Sequence, residues 1–212
     1  MAEVRSRVSP ERVYLGCGVC GLVYLSPHQR LDAGSERARY EKHRNDPADP
    51  GYRAFLGQVV EPLVARLTPG ATGLDFGCGP EPALAGMLAE RGFPTRTHDP
   101  FFAPDPEALA GADRYDFITC TETAEHLFEP GPEFERLARL IRPGGWLAVM
   151  TELVPHDVPF ASWYYARDPT HVVFYRETSL DWLALRHGWA AERVSPRVTL
   201  FRAARPTDPN GR

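Results

Sequence analysis

With 212 residues, 43% hydrophobic and 25% charged, the chain is long enough for one globular domain with a full core. A net charge of −4 leaves no electrostatic footprint for nucleic acid or an anionic membrane, so neither is expected as a partner. No apolar run reaches the roughly 18 residues of a membrane span. The first fifteen residues carry Glu3, Arg5, Arg7, Glu11 and Arg12 instead of a secretory leader. Four cysteines are no disulfide framework at this length, and a reducing cytoplasm is the expected location.

The expected division is an N-terminal extension over 1–33, a main domain over 34–205 and a flexible tail over 206–212. Cys17-Gly-Val-Cys20-Gly lies between Val13-Tyr14-Leu15 and Leu22-Val23-Tyr24-Leu25, which predicts a small hairpin around a single C-x-x-C knuckle. Structural zinc needs four ligands. One knuckle, with His28 as a distant third candidate, favours a metal-free hairpin, and no residue is assigned to a metal. Ser35 opens a capped helix running to His43. Asn45-Asp-Pro and Asp49-Pro-Gly interrupt it. Tyr52, Phe55, Leu56, Val59, Val60, Leu63, Val64 and Leu67 then recur at helical spacing, up to Thr68-Pro-Gly70.

Strand and helix patterns alternate from there. Strands are expected at 72–76, 94–98, 115–120, 146–152, 191–195 and 198–203, with helices at 80–91, 134–141 and 180–186. Such alternation predicts an α/β fold with a mostly parallel sheet and ligands at the strands' C-terminal ends. Residues 154–177 form a long irregular stretch dense in aromatic residues, which points to function rather than disorder.

The turn after the first parallel strand, Gly73-Leu-Asp75-Phe-Gly77-Cys78-Gly79-Pro-Glu-Pro82, supplies G-x-G at a strand-to-helix junction, where backbone N–H groups can meet a small anion. A dinucleotide fingerprint requires a third glycine where Pro82 stands. Asp99, 20 residues beyond Gly79, is placed to accept from ribose hydroxyls, a feature compatible with NAD and with S-adenosylmethionine.

Gly73–Pro82 resembles the first motif of the class I S-adenosylmethionine-dependent methyltransferases. Tyr115-Asp-Phe-Ile-Thr-Cys-Thr121-Glu122-Thr-Ala-Glu-His126-Leu127 resembles their fourth-strand motif, and Leu140-Ile-Arg-Pro-Gly-Gly-Trp-Leu147 the approach to their fifth strand. Each motif alone is common; their order and spacing over 70–152 carry the resemblance, closest to bacterial small-molecule methylases of the quinone-ring type. It implies a Rossmann-like sheet of order 3-2-1-4-5-7-6 with helices on both faces. Only 16 residues separate Asp99 from Asp116, so the third strand is expected to be missing or rudimentary.

The resemblance implies S-adenosyl-L-methionine as cofactor, held by Asp75, Gly77, Cys78, Gly79, Asp99, Pro100, Phe101, Thr121 and Glu122. Tyr40 and His43 would close over it. It implies methyl transfer to a small-molecule acceptor, with His171, His126 or Glu122 as general base. The insert after the fifth strand would supply the acceptor's walls through Trp163, Tyr164, Arg167, His171 and Tyr175. The competing readings are a cofactor-binding scaffold or sensor without activity and an NAD-dependent oxidoreductase, which Pro82 disfavours.

Overall fold

The computed structural model describes residues 12–42 and 45–204; His43 and the 206–212 tail lie outside them. β1 (Tyr14–Gly16) and β2 (Val23–Leu25) pair antiparallel around the Cys17–Cys20 knuckle. Their alternation buries Tyr14, Val23 and Leu25 and turns Leu15 and Tyr24 outward.

α1 (Ala33–Tyr40) starts two residues before the expected Ser35. Its cap is Asp32, whose carboxylate accepts the Ser35 N–H at 3.0 Å. α2 (Pro50–Val64) is capped by Asp49, which accepts the Tyr52 N–H at 2.6 Å, with Pro50 in the first turn where no N–H is needed. Leu56, Val59, Val60 and Leu63 are its buried face, each contributing roughly 1.5–3 kcal/mol of burial.

The central sheet comprises β3 (Gly73–Phe76), β4 (Thr95–His98), β5 (Tyr115–Thr121), β6 (Ile141–Met150), β8 (Ala190–Arg193) and β9 (Val198–Arg202), in the order β4-β3-β5-β6-β9-β8. β4, β3, β5 and β6 run parallel, while β9 is antiparallel to both neighbours. This is the expected order with the outermost strand absent: the stretch after Asp99 holds a single helical turn, Pro106–Leu109. Two apolar clusters sandwich the sheet.

α3 (Ala83–Glu90) begins three residues later than the expected Pro80. Prolines at 80 and 82 disfavour helical geometry in the residues before them, and Pro82 itself sits at ψ 58°, outside the helix. α4 is Pro130–Leu140. α5 (Glu177–His187) starts earlier than expected and ends on Gly188 in the left-handed region.

Between β6 and α5 the irregular stretch makes two helical turns and β7 (Val173–Phe174), which pairs antiparallel with β2. The hairpin therefore shares a core with the insertion: the Tyr14 ring meets Phe160 and Phe174 at 4.9 and 5.7 Å.

Candidate active site

The C-terminal ends of β3, β4 and β5 open into a cavity of about 700 Å³, within the ~300–1,000 Å³ range of small-molecule sites. Asp75, Gly77, Cys78, Gly79, Asp99, Pro100, Phe101, Thr121, Glu122 and Tyr40 all line it, with His126 and His171.

Gly77 and Gly79 have φ of 78° and 67°, where side chains are strained. A Cβ on Gly77 would also lie 2.2 Å from Thr123, whose hydroxyl donates to the Gly77 carbonyl at 3.1 Å. The expectation that this turn offers its N–H groups to an anion is corrected. Gly77 and Cys78 donate to the His98 carbonyl, and Gly79 donates to Asp99 Oδ2 at 3.0 Å. The following prolines have no N–H, so the turn is closed by its own strand neighbours.

Asp99 also accepts the N–H groups of Phe101 and Phe102 through Oδ1, at 2.8 and 3.0 Å, and so ties the β3 turn to the loop after β4. Asp75 is buried and accepts from the Thr119 hydroxyl at 2.8 Å. Burial pushes its pKa up to about 6 against the pull of Thr119, and the Asp99 charge adds to the rise. Burial and the same two carboxylates push the Cys78 thiol up to about 12, so it is a small protonated lining group and no nucleophile.

The opposite wall comes from the loop after β5. Glu122 holds φ of 49°, a left-handed conformation rare outside glycine, with its N–H on the Met150 carbonyl. Burial, with Glu125 next in weight, pushes its pKa up to about 8. Glu125 is fully buried and accepts the Tyr165 hydroxyl at 2.6 Å. Thr121 Oγ1, Glu122 Oε1 and Glu125 Oε2 are buried without a hydrogen-bond partner among the described residues. His126 Nδ1 donates to the Thr170 carbonyl at 3.0 Å and His171 Nδ1 to the Tyr165 carbonyl at 2.7 Å.

Rings continue the wall. Phe101 meets Tyr40 at 5.9 Å, Tyr40 meets His126 at 5.2 Å, and His126 meets His171 at 4.8 Å. Tyr40 donates to Glu36 at 2.6 Å, and Arg39 pairs with Asp168 at 2.6 Å, fastening α1 to the insertion. Burial opposes ionisation of Asp168, but Arg39 and Thr170 outweigh it and hold the carboxyl well below its usual range.

The five residues expected to wall the acceptor divide. His171 lines the cavity. Tyr164 and Arg167 do not; they edge a shallower hollow of about 290 Å³ that shares His171. Trp163 and Tyr175 are corrected to core: both are buried beneath the hairpin and β7, and the Tyr175 hydroxyl donates to the Ala124 carbonyl. Sequence reading missed Glu36, Glu125, Leu127 and Phe128 as lining residues. Glu125 had a signal, a second carboxylate three residues after Glu122. Glu36 looked like an ordinary first-turn acid.

The sequence profile of a family described as "Methyltransferase domain" matches residues 43–194. The chain belongs to the class I S-adenosylmethionine-dependent methyltransferases. A ubiquinone biosynthesis O-methyltransferase of Sodalis glossinidius is 34% identical over 89 residues, 42% of this chain and 35% of that protein. One of Aeromonas salmonicida is 28% identical over 95 residues, 45% and 39%. These matches span little more than a third of each curated relative. A Burkholderia thailandensis 1,6-didemethyltoxoflavin-N1-methyltransferase, solved with its substrate and S-adenosylhomocysteine, superposes with TM-score 0.60 at 17% identity, covering 92% of this chain and 97% of that one. It shares the fold.

The site's chemistry fits the family's cofactor. A buried carboxylate near the end of β3 suits an ammonium, Asp99 follows the second parallel strand, and Phe101, Leu127 and Phe128 give an apolar side for a base.

Proposed function

We propose that this chain methylates a small-molecule acceptor at the wall formed by Glu122, His126 and His171. The observation that carries the reading is that one cavity joins the Asp75–Asp99 side to this wall. When bound, the cofactor supplies a methyl group already activated on a sulfonium. Asp75 holds the ammonium, Asp99 the ribose, and Pro100 and Phe101 the base, while Gly77, Cys78 and Gly79 leave room for the methionine portion. Thr121 and Glu122 border the reacting end. Tyr40 covers the cofactor from α1.

Alignment in a closed chamber supplies much of the acceleration, with effective molarities of ~10⁵ M or more for well-placed reactants. His171, His126 or Glu122 takes the acceptor's proton, worth ~10²–10⁴-fold. His171 suits the role: burial, then the neighbouring His126, lower its pKa and keep it neutral. Tyr164 and Arg167 edge the approach from the smaller hollow, and Trp163 reaches His171 only through the Tyr165 ring, which meets both. The cited relatives' role in ubiquinone biosynthesis supports a small-molecule acceptor.

The test pairs calorimetry with mass spectrometry. S-adenosylhomocysteine should bind, and S-adenosylmethionine turnover with an accepted compound should add one methyl group. Cofactor binding with no transfer across a broad acceptor panel would favour the scaffold reading.

A further inference from the structure

The hollow of about 290 Å³ beside the main cavity is edged by Arg39, Tyr164, Arg167, Asp168 and His171. Asp168 is the only carboxylate among its described lining residues, and its oxygens are filled. Oδ1 accepts the Thr170 N–H at 2.9 Å and the Thr170 hydroxyl at 2.6 Å, while Oδ2 accepts Arg39 Nε at 3.2 Å and Nη2 at 2.6 Å. Those four bonds take up the four lone-pair sites of a carboxylate. The guanidiniums are not filled. Each carries five N–H donors. Arg39 turns its Nε and one Nη2 hydrogen to Asp168, which leaves the Nη1–Nη2 end of its fork without a partner among the described residues. Arg167 donates from Nη2 to the Ser162 carbonyl at 3.2 Å and pairs with no carboxylate among the described residues.

Two guanidiniums thus face the hollow against one saturated carboxylate, so an occupant must bring acceptor oxygens and negative charge. The loop that carries Asp168 is braced from a second side by Arg12, which donates to the Asp168 and Pro169 carbonyls at 3.4 and 3.2 Å. The main cavity has the opposite sign. Among its described lining residues eight are acidic, and Arg136 is the one arginine or lysine. An anion is repelled from the chamber and drawn to the hollow, which fixes the end of a molecule that enters. His171 belongs to both linings. A molecule held in the hollow by an acid group therefore presents its other end across one imidazole, at the wall assigned to the methyl acceptor.

We infer that the acceptor is a carboxylate-bearing small molecule: Arg39 and Arg167 clamp its carboxylate in the hollow, while its reacting group lies on the chamber side of His171. This rests on the methyl-transfer reading above and narrows its substrate class. The planar fork of a guanidinium matches the two oxygens of a carboxylate. Two arginines against one aspartate leave one net positive charge among the hollow's described lining residues, which a monoanion neutralises. The carboxylate is the handle and is not itself methylated. Arg39 has a double task, since the same guanidinium that meets the handle fastens α1 to the insertion through Asp168.

The test titrates the full chain calorimetrically with benzoate, with its neutral near-isostere benzamide and with phenyl phosphate, each with and without saturating S-adenosylhomocysteine. Benzoate should bind at least about tenfold more tightly than benzamide, the scale of one charge-assisted hydrogen bond. Arg167→Gln breaks no ion pair, and Arg39→Lys keeps a cation on Asp168 while removing the open end of the fork. Each should cut benzoate affinity at least about fivefold and leave benzamide and S-adenosylhomocysteine within about twofold. Equal affinity for benzoate and benzamide, no binding of benzoate, or a preference unchanged in either variant would overturn the carboxylate assignment. Phenyl phosphate binding more than about tenfold tighter than benzoate, with the excess lost in both variants, would overturn it in favour of a phosphate. Failure of the wild-type chain to bind S-adenosylhomocysteine would instead strike the methyl-transfer reading, while the titrations made without it would still decide the hollow.

Discussion

The two walls of the cavity are built on opposite principles. On the β3–β4 side the polar groups are spoken for: Asp99 accepts three backbone N–H groups, and the glycine turn donates to His98 and Asp99. On the β5 side Thr121, Glu122 and Glu125 each leave a buried oxygen without a partner among the described residues, and Glu122 sits in a strained conformation. A satisfied wall is rigid and preformed, as binding an invariant cofactor requires. An unsatisfied wall stores demand for donors that an incoming acceptor fills, and unmet polar groups of this kind concentrate where function needs them.

This contrast sets the size and character of mutational effects. The largest is expected on the β5 side in turnover. His171→Ala should lower kcat by ~10²–10⁴-fold while S-adenosylhomocysteine affinity stays within about twofold. Equal losses in both, by steady-state kinetics and calorimetry, would dissolve the division between the walls. Next, Asp99→Ala should weaken S-adenosylhomocysteine binding by ~10–100-fold, the scale of the one charge-assisted hydrogen bond that its three backbone N–H groups leave open. It should also lower the melting temperature, since three backbone donors lose their acceptor. Unchanged affinity in that mutant would remove Asp99 from the cofactor.

Asp75 gives a smaller, pH-dependent effect. With its pKa up to about 6, it is mostly protonated at pH 5 and ionised at pH 7, and only the ionised form pairs with an ammonium. Cofactor affinity should rise roughly tenfold from pH 5 to 7, about one decade per pH unit below that pKa. Asp75→Asn should bind weakly with a flat profile across that range, and a wild-type profile without a rise would contradict the pairing.

The smallest effect is on stability. Glu122 is faced by Glu125, Glu152, Arg197 and Tyr52, and its pKa is raised to about 8 from 4.5. The native state therefore binds its proton more tightly than the unfolded chain. That contribution is full below pH 4.5 and is lost as pH rises through about 8. Glu122→Gln should be about 1 kcal/mol more stable than wild type at pH 9, the scale of relieving a buried unmet carboxylate, with the gain vanishing near pH 4. Denaturant titrations at the two pH values measure it.

What the sequence revealed follows the same line. The Gly73–Pro82 turn, the β5 motif and the absent outer strand were legible because each is a local pattern, fixed by glycine geometry or by the length of chain available. The closing of the turn's N–H groups on His98 was not, since it depends on where a neighbouring strand ends. Glu125 and Glu36 reach the cavity through tertiary placement of a loop and of α1. Trp163 and Tyr175 misled for the converse reason. Their aromatic density looked like a substrate roof, but β2 pairs with β7 and lays the hairpin's Tyr14 and Leu25 against the same cluster, which draws those rings into the core.

The central claim is that the satisfied wall holds the cofactor, and calorimetric titration of S-adenosylhomocysteine into the wild-type chain and Gly77→Val tests it most directly. Binding to one site in the wild type, absent in a Gly77→Val variant that still melts cooperatively, is the predicted result: a side chain there meets Thr123 and strains the turn at φ of 78°. A folded wild-type chain that binds no S-adenosylhomocysteine, or a Gly77→Val variant that binds it equally well, would contradict the account.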